Sequence, residues 1–280
     1  MTILIGRAFG AALFGIEAIK VEVQAAQSKG IPRAAIVGQA GGEIREARDR
    51  LRVALQAQEL WADESEAAVI VNLAPAAVRK AGTGLDLPIC LAIAALRRRK
   101  LREGLKRLLA YAEVGLDGRL RPAHGTLSAA MMARRFGFAG ILVPPPCARE
   151  AAEVDGLDVL AVRTLADVVK LVVGDRSVLA AWPPRASPAL SPDLDLSEVK
   201  GQHGARRALE VAAAGAHNVL LIGPPGSGKT LLARRMPTIL PPLTRDEALR
   251  VTRVHSAAGL VAAGAGLVTE RPFRAPHHTV

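Results

Sequence analysis

The chain has 280 residues, half of them apolar, which suits two folded domains and excludes a wholly disordered chain. No apolar run reaches the ~18 residues of a membrane helix, and the N-terminus lacks the basic start and cleavage site of a secretory signal. Cys90 and Cys147 stand far apart and unaccompanied, which argues against a disulfide framework or zinc knuckle and for a reducing, cytoplasmic location. The formal charge is +11, from 37 basic and 26 acidic residues. That is compatible with a polyanionic partner but carries no specificity.

Strand and helix patterns alternate along the first part. Ile19, Val21 and Val23 alternate with polar residues, the period of a half-buried strand. Ala34 to Val37 predicts a short buried strand ending at Gly38, and Ile44, Leu51 and Leu55 recur at helical spacing. Ala68 to Leu73 predicts another strand. Between Tyr111 and Arg121, Asp117-Gly118 predicts a tight hairpin turn. A helix over Ser128–Phe136 follows, then strand Ile141–Val143, helix Cys147–Val154, strand Val159–Val162 and helix Leu165–Val173. These patterns predict a mixed α/β domain over 1–175. Pro183, Pro184, Pro188 and Pro192 mark 176–195 as an extended linker to a second domain, 196–280.

In the second domain, Asn218–Ile222 predicts an apolar strand, and Leu231–Met236 a helix. Between them stands Gly223-Pro224-Pro225-Gly226-Ser227-Gly228-Lys229-Thr230, which satisfies G-x-x-x-x-G-K-[ST] in the strand-loop-helix setting that the motif requires. Glycines let backbone N–H groups converge on phosphate oxygens, Lys229 neutralises phosphate charge, and the Thr230 hydroxyl ligates Mg²⁺. A Gly/Pro turn that matches by chance is the bland alternative.

The surrounding residues carry a resemblance. Val199-Lys200-Gly201-Gln202, Arg207 to Glu210, the phosphate loop, Leu240 to Thr244, Val254-His255-Ser256-Ala257-Ala258-Gly259 and Arg271 to Thr279 resemble the magnesium-chelatase-like AAA+ ATPases of the ComM/YifB type. Gly30-Ile31-Pro32, Val71 to Ala76, Lys80-Ala81-Gly82 and Leu85 to Ile89 resemble that family's N-terminal domain, itself similar to the Lon protease domain and the second domain of ribosomal protein S5. The resemblance implies a P-loop NTPase with ATP and Mg²⁺ as cofactors, Val199 and Gly201 beside the adenine, and a homo-hexamer acting on DNA. Its implied role is branch migration and integration of incoming DNA in bacterial transformation, without a membrane. A metal-chelatase motor subunit is the different-class alternative, and a non-catalytic nucleotide-binding module a third reading.

Other features divide between function and scaffold. Lon-type catalysis needs a serine beside a lysine, yet Lys80 to Pro88 offers only Thr83, so peptidase activity is not expected. Arg97, Arg98, Arg99, Lys100 and Arg102 form the densest basic cluster, either a DNA-backbone contact or a solvated helix face. Aromatic residues make up 3% of the chain, which disfavours base stacking. Thr244 and Glu247 read as a capping box, Arg234 and Arg235 as helix surface, and Trp61 and Trp182 as packing residues. Adjacent His277 and His278 are poor candidates for a shared metal. No apolar strand ending in an acid follows Thr230, so 1–280 is expected to stop short of the Walker B residues and to lack turnover by itself.

Overall fold

The structure is a computed structural model that describes residues 4–29, 34–61, 67–182, 194–262 and 264–276. The chain divides into two compact units, Met1–Ala186 with Thr252–Gly266 and Ser187–Val251 with Leu267–Val280. The linker prolines, His277 and His278 lie outside the described residues.

The first unit is a mixed α/β fold. In chain order it comprises β1 (Ile5–Phe14), β2 (Glu17–Lys29), β3 (Ala34–Val37), α1 (Gly42–Ala57), β4 (Ala67–Ala74), α2 (Asp86–Ala94) and α3 (Arg99–Leu105). Then come β5 (Leu108–Ala110), β6 (Glu113–Val114), β7 (Leu120–Arg121), α4 (Thr126–Arg135), β8 (Gly140–Val143), α5 (Pro145–Ala151), β9 (Asp158–Ala161) and α6 (Leu165–Val172). Seven strands form one sheet in the order β3-β4-β2-β1-β5-β8-β9. β2 runs antiparallel to both of its neighbours, and the other pairings are parallel. β6 and β7 form a separate ribbon closed at Asp117-Gly118, as the turn dipeptide predicts.

Period-2 alternation divides the core between the two faces of the sheet. On one face Val21, Val23 and Val71 meet Ile44, Leu51 and Leu55 of α1, most of α2, Leu101 and Leu105 of α3, and Leu165 and Val168 of α6. On the other, Leu109, Ile141 and Val143 pack on alanines of α4 and α5. Each fully buried large aliphatic side chain stabilises the unit by roughly 1.5–3 kcal/mol relative to exposure. α6 starts as its sequence dictates, the Thr164 hydroxyl accepting from the Asp167 amide at 3.1 Å.

Two elements carry no periodic signal. α2 is buried on every side, so it lacks a polar face to reveal it. β1 has Gly6 and Gly10 in its interior because α2 crosses it closely. Two expectations need correcting. Asn218–Ile222 forms no strand, because no described segment pairs with it, and Leu220 and Ile222 are 82% and 86% exposed. Trp182 is 43% exposed rather than packed, whereas Trp61 lies against the core.

Asp86 opens α2 with its side chain buried, pairing with Arg50 at 2.7 Å and accepting from the Val114 amide at 3.2 Å. Burial pushes its carboxyl up to about 7, and Arg50 only partly opposes this. The folded chain therefore holds a proton that the unfolded chain has released. Asp86's contribution to stability is full below about pH 4 and is lost as pH rises through about 7. Asp86→Asn should flatten that slope, so urea midpoints at pH 5 and pH 8 should show the variant gaining on the wild type at the higher pH. An equal difference at both values would contradict the assignment.

Candidate functional site

The second unit builds its site around a small apolar cluster of Leu196, Val199, Leu209 of α7 (His203–Gly215) and Leu232 of α8 (Lys229–Arg235). Arg235 clamps α8 to the preceding segment, donating to Glu198 at 2.7 and 3.2 Å and to the Asp195 carbonyl at 3.1 Å. It is a brace with a side chain only 11% exposed, so the helix-surface reading holds for Arg234 but not for Arg235, which the Glu198 and Asp195 bonds draw inward. The clamp places Val199 against Leu232, so the Val199 side chain is core, and Gly201 beyond it is exposed.

The phosphate loop runs from Gly223 to Gly228. Gly226 and Gly228 are left-handed, with φ of 80° and 84°, a conformation that L side chains adopt only with strain. No atom lies within 4 Å of where their Cβ would be, so both glycines border open space. The Lys229 Nζ folds back into the loop, donating to the Gly223 and Pro224 carbonyls at 2.7 and 2.8 Å and to Ser227 Oγ at 3.3 Å. Pro225 and Thr230 are exposed. The Gln202 amide donates to the Ser227 carbonyl at 3.3 Å, bringing the Val199–Gln202 segment to the loop.

This donor set fits a polyphosphate. A cationic lysine sits amid carbonyl partners that it can exchange for phosphate oxygens, in a loop that leaves room for a bulky anion. The Thr230 hydroxyl, accessible at the start of α8, suits a hard cation with oxygen ligands. Behind the loop, Val219 and Leu221 line a cavity of ≈ 220 Å³ with Leu209, Met236, Leu240 and Phe273, while Leu220 and Ile222 face outward. That alternation is the strand pattern without a paired neighbour.

Helix α9 (Arg245–Ala257) begins with the predicted capping box, Thr244 and Glu247 exchanging backbone-to-side-chain bonds at 2.9 and 3.3 Å. Glu247 also meets Arg271 at 3.5 Å.

The basic cluster separates into two kinds of residue. Arg98 donates to the Ala94, Leu60 and Glu59 carbonyls, and Arg102 to the Ala95 and Leu96 carbonyls. Both guanidiniums satisfy orphan carbonyls at and beside the C-terminal end of α2, a scaffold role that the run of charges hid. Arg97, Arg99 and Lys100 are exposed, and Arg97 donates to Gln27 at 3.4 Å.

The Ser128 hydroxyl donates to the Ile16 carbonyl at 2.6 Å. Lys80 is 1% exposed, and its ammonium donates to the carbonyls of Gly38, at 2.8 Å, and Pro75. Burial pulls it below the ordinary lysine range.

Comparison with known proteins settles the family. A model described as magnesium chelatase, subunit ChlI, matches residues 195–280, and one described as subunit ChlI of Mg-chelatase matches 21–146. Competence protein ComM of Haemophilus influenzae is 35% identical over 277 residues, covering 97% of this chain and 53% of that protein. The chain belongs to the ComM/YifB-type, magnesium-chelatase-like family. An uncharacterized YifB of Escherichia coli is 37% identical over 276 residues, with 96% of this chain and 52% of that protein covered. An uncharacterized protein of Mycobacterium tuberculosis is 40% identical over 276 residues, with 98% and 54% covered. The ComM/YifB-type chain thus spans about half the length of the curated relatives that it matches. No described helix is long and apolar enough to cross a membrane.

Proposed function

We propose that this ComM/YifB-type chain is the ATP-binding part of a hexameric, cytoplasmic ATPase that acts on DNA; likeness to a protein named for competence supports the DNA part of that reading. The open phosphate loop around Lys229 carries the reading. Lys229 would exchange its loop carbonyls for phosphate oxygens, Thr230 would hold Mg²⁺, and Gly201 with the Val199 backbone would border the base. The ion, when bound, neutralises phosphate charge. Gln202 and the Arg235–Glu198 brace keep the loop and its preceding segment in register.

In the same reading the first unit is a Lon/S5-like module without peptidase chemistry. Lys80 and Ser128 each serve backbone carbonyls rather than one another. The chelatase-motor alternative draws on the names of the family models, which match both units. The ComM match across nearly the whole chain favours DNA. ATP turnover by the full-length protein decides between them. Stimulation by branched DNA supports the proposal, and stimulation by a porphyrin with Mg²⁺ but not by DNA would overturn it.

Exposed Arg97, Arg99 and Lys100 are the side chains assigned to the DNA backbone. Replacing all three with alanine should reduce the magnitude of the log K against log salt slope by about 0.9 for each phosphate no longer neutralised. The fold should change by less than about 0.5 kcal/mol per site. Replacing Arg98 and Arg102 should do the reverse, lowering stability and leaving the slope nearly unchanged. The same slope in the triple variant and the wild type would remove these three residues from the interface.

A further inference from the structure

The segment Thr252–Gly266 belongs to the first unit, and its V-H-S-A-A-G signature has no part in the phosphate site. Its buried described residues are Thr252, Ser256, Gly264 and Gly266, and none of its described side chains enters an apolar cluster. Polar bonds hold it instead. The Ser256 hydroxyl donates to Glu150 Oε1, which also accepts from the Leu127 amide at 2.7 Å. The Gly125 amide donates to the Ser256 carbonyl at 3.0 Å, and the Gly264 amide to the Pro146 carbonyl at 2.9 Å. At the outer edge, Arg253 pairs with Glu17 at 2.5 Å. Gly259 is left-handed, with φ of 72°, and a Cβ there would stand 2.5 Å from the His124 ring. Serine and glycine are therefore the residues of the signature that the docked geometry demands.

We propose that Thr252–Gly266 is a latch that docks on the α4–α5 side of the first unit and opens as one piece, with Glu150 as its keeper and Ser256 as the bolt. A segment held by a few hydrogen bonds, with little apolar burial, opens at far lower cost than the core beneath it. The carboxylate suits the keeper's role because a single oxygen receives both the fixed Leu127 amide and the removable Ser256 hydroxyl. When the latch opens, Glu150 keeps its α4 partner and gains water. Neither state leaves it without a donor.

Residue-resolved hydrogen exchange on the whole chain tests this. In Ser256→Ala, protection of the Gly125 and Gly264 amides should fall together by about tenfold or more, because the bolt is lost. Ile141 and Leu142 in β8 should keep theirs. Glu150→Gln should preserve protection at both latch amides, since its carbonyl oxygen still accepts the two bonds. Arg253→Ala, which removes the Glu17 pair and the bond to the Ile16 carbonyl, should produce a smaller coordinated loss and serves as the second variant if Ser256→Ala does not fold. Loosening at Gly125 alone, unchanged protection in both alanine variants, or loss in Glu150→Gln equal to that in Ser256→Ala would each overturn the latch. Loss extending through β8 would do so too, because the segment would then be part of the core.

Discussion

Lys229→Ala should weaken MgATP binding by about 100-fold or more, while the thermal midpoint stays close to that of the wild type. The lysine makes three hydrogen bonds within the loop, two of them to carbonyls at 2.7 and 2.8 Å. Two charge-assisted bonds to phosphate, at roughly 1.5–3 kcal/mol each, more than account for the lost affinity. Stability is spared because the side chain is only half-buried and the carbonyls that it leaves are exposed to water. Lys229→Arg separates charge from shape: it keeps the charge but not the compact ammonium that fits between Gly223 and Ser227. Intermediate affinity is expected for it. Calorimetric titration of both variants reads the result, and unchanged affinity in Lys229→Ala would exclude the loop as the phosphate site.

The largest effect on the fold should come from Gly6→Ala in β1. A Cβ at Gly6 would stand 1.9 Å from the Ala92 carbonyl oxygen and 3.1 Å from the Leu96 amide nitrogen. Both contacts are backbone atoms at the end of α2, so no side-chain rotation relieves them. β1 and α2 would have to move apart, opening the core beneath Ile89 and Leu91. We expect a loss of about 3 kcal/mol or more, at the upper end of overpacking costs. Gly15→Ala is the control, since its Cβ would meet nothing, and its cost should be confined to the left-handed turn backbone. Equal destabilisation by the two substitutions, read from urea midpoints, would contradict the close β1–α2 packing.

The same contact explains what the sequence conceals. α1 is legible because Ile44, Leu51 and Leu55 repeat along one face and most of the positions between them are charged. The β6–β7 ribbon is legible because Asp117-Gly118 fixes a turn locally. β1 and α2 are each other's reason for lacking a signal. The strand needs glycines where the helix crosses, and the helix is apolar all round because sheet and helices enclose it. At the site, the phosphate loop is contiguous and can be read from the chain. The Gln202–Ser227 bond and the Arg235–Glu198 brace join residues 25 and 37 positions apart and exist only in the fold. Arg98 and Arg102 look like their exposed neighbours in the sequence. Only the end of α2 makes them caps. Asn218–Ile222 errs the other way: its side-chain alternation is that of a strand, but a strand also needs a partner.

A single titration decides whether the Gly223–Thr230 loop is a site for MgATP. MgATP is added to the 1–280 chain while bound nucleotide and released phosphate are followed in the same sample. Weak but saturable binding, competed by ADP and lost in Lys229→Ala, with no phosphate released, is the predicted result. Absence of saturable binding would contradict the site itself, and phosphate release that Lys229→Ala abolishes would contradict the reading of this chain as binding without turnover.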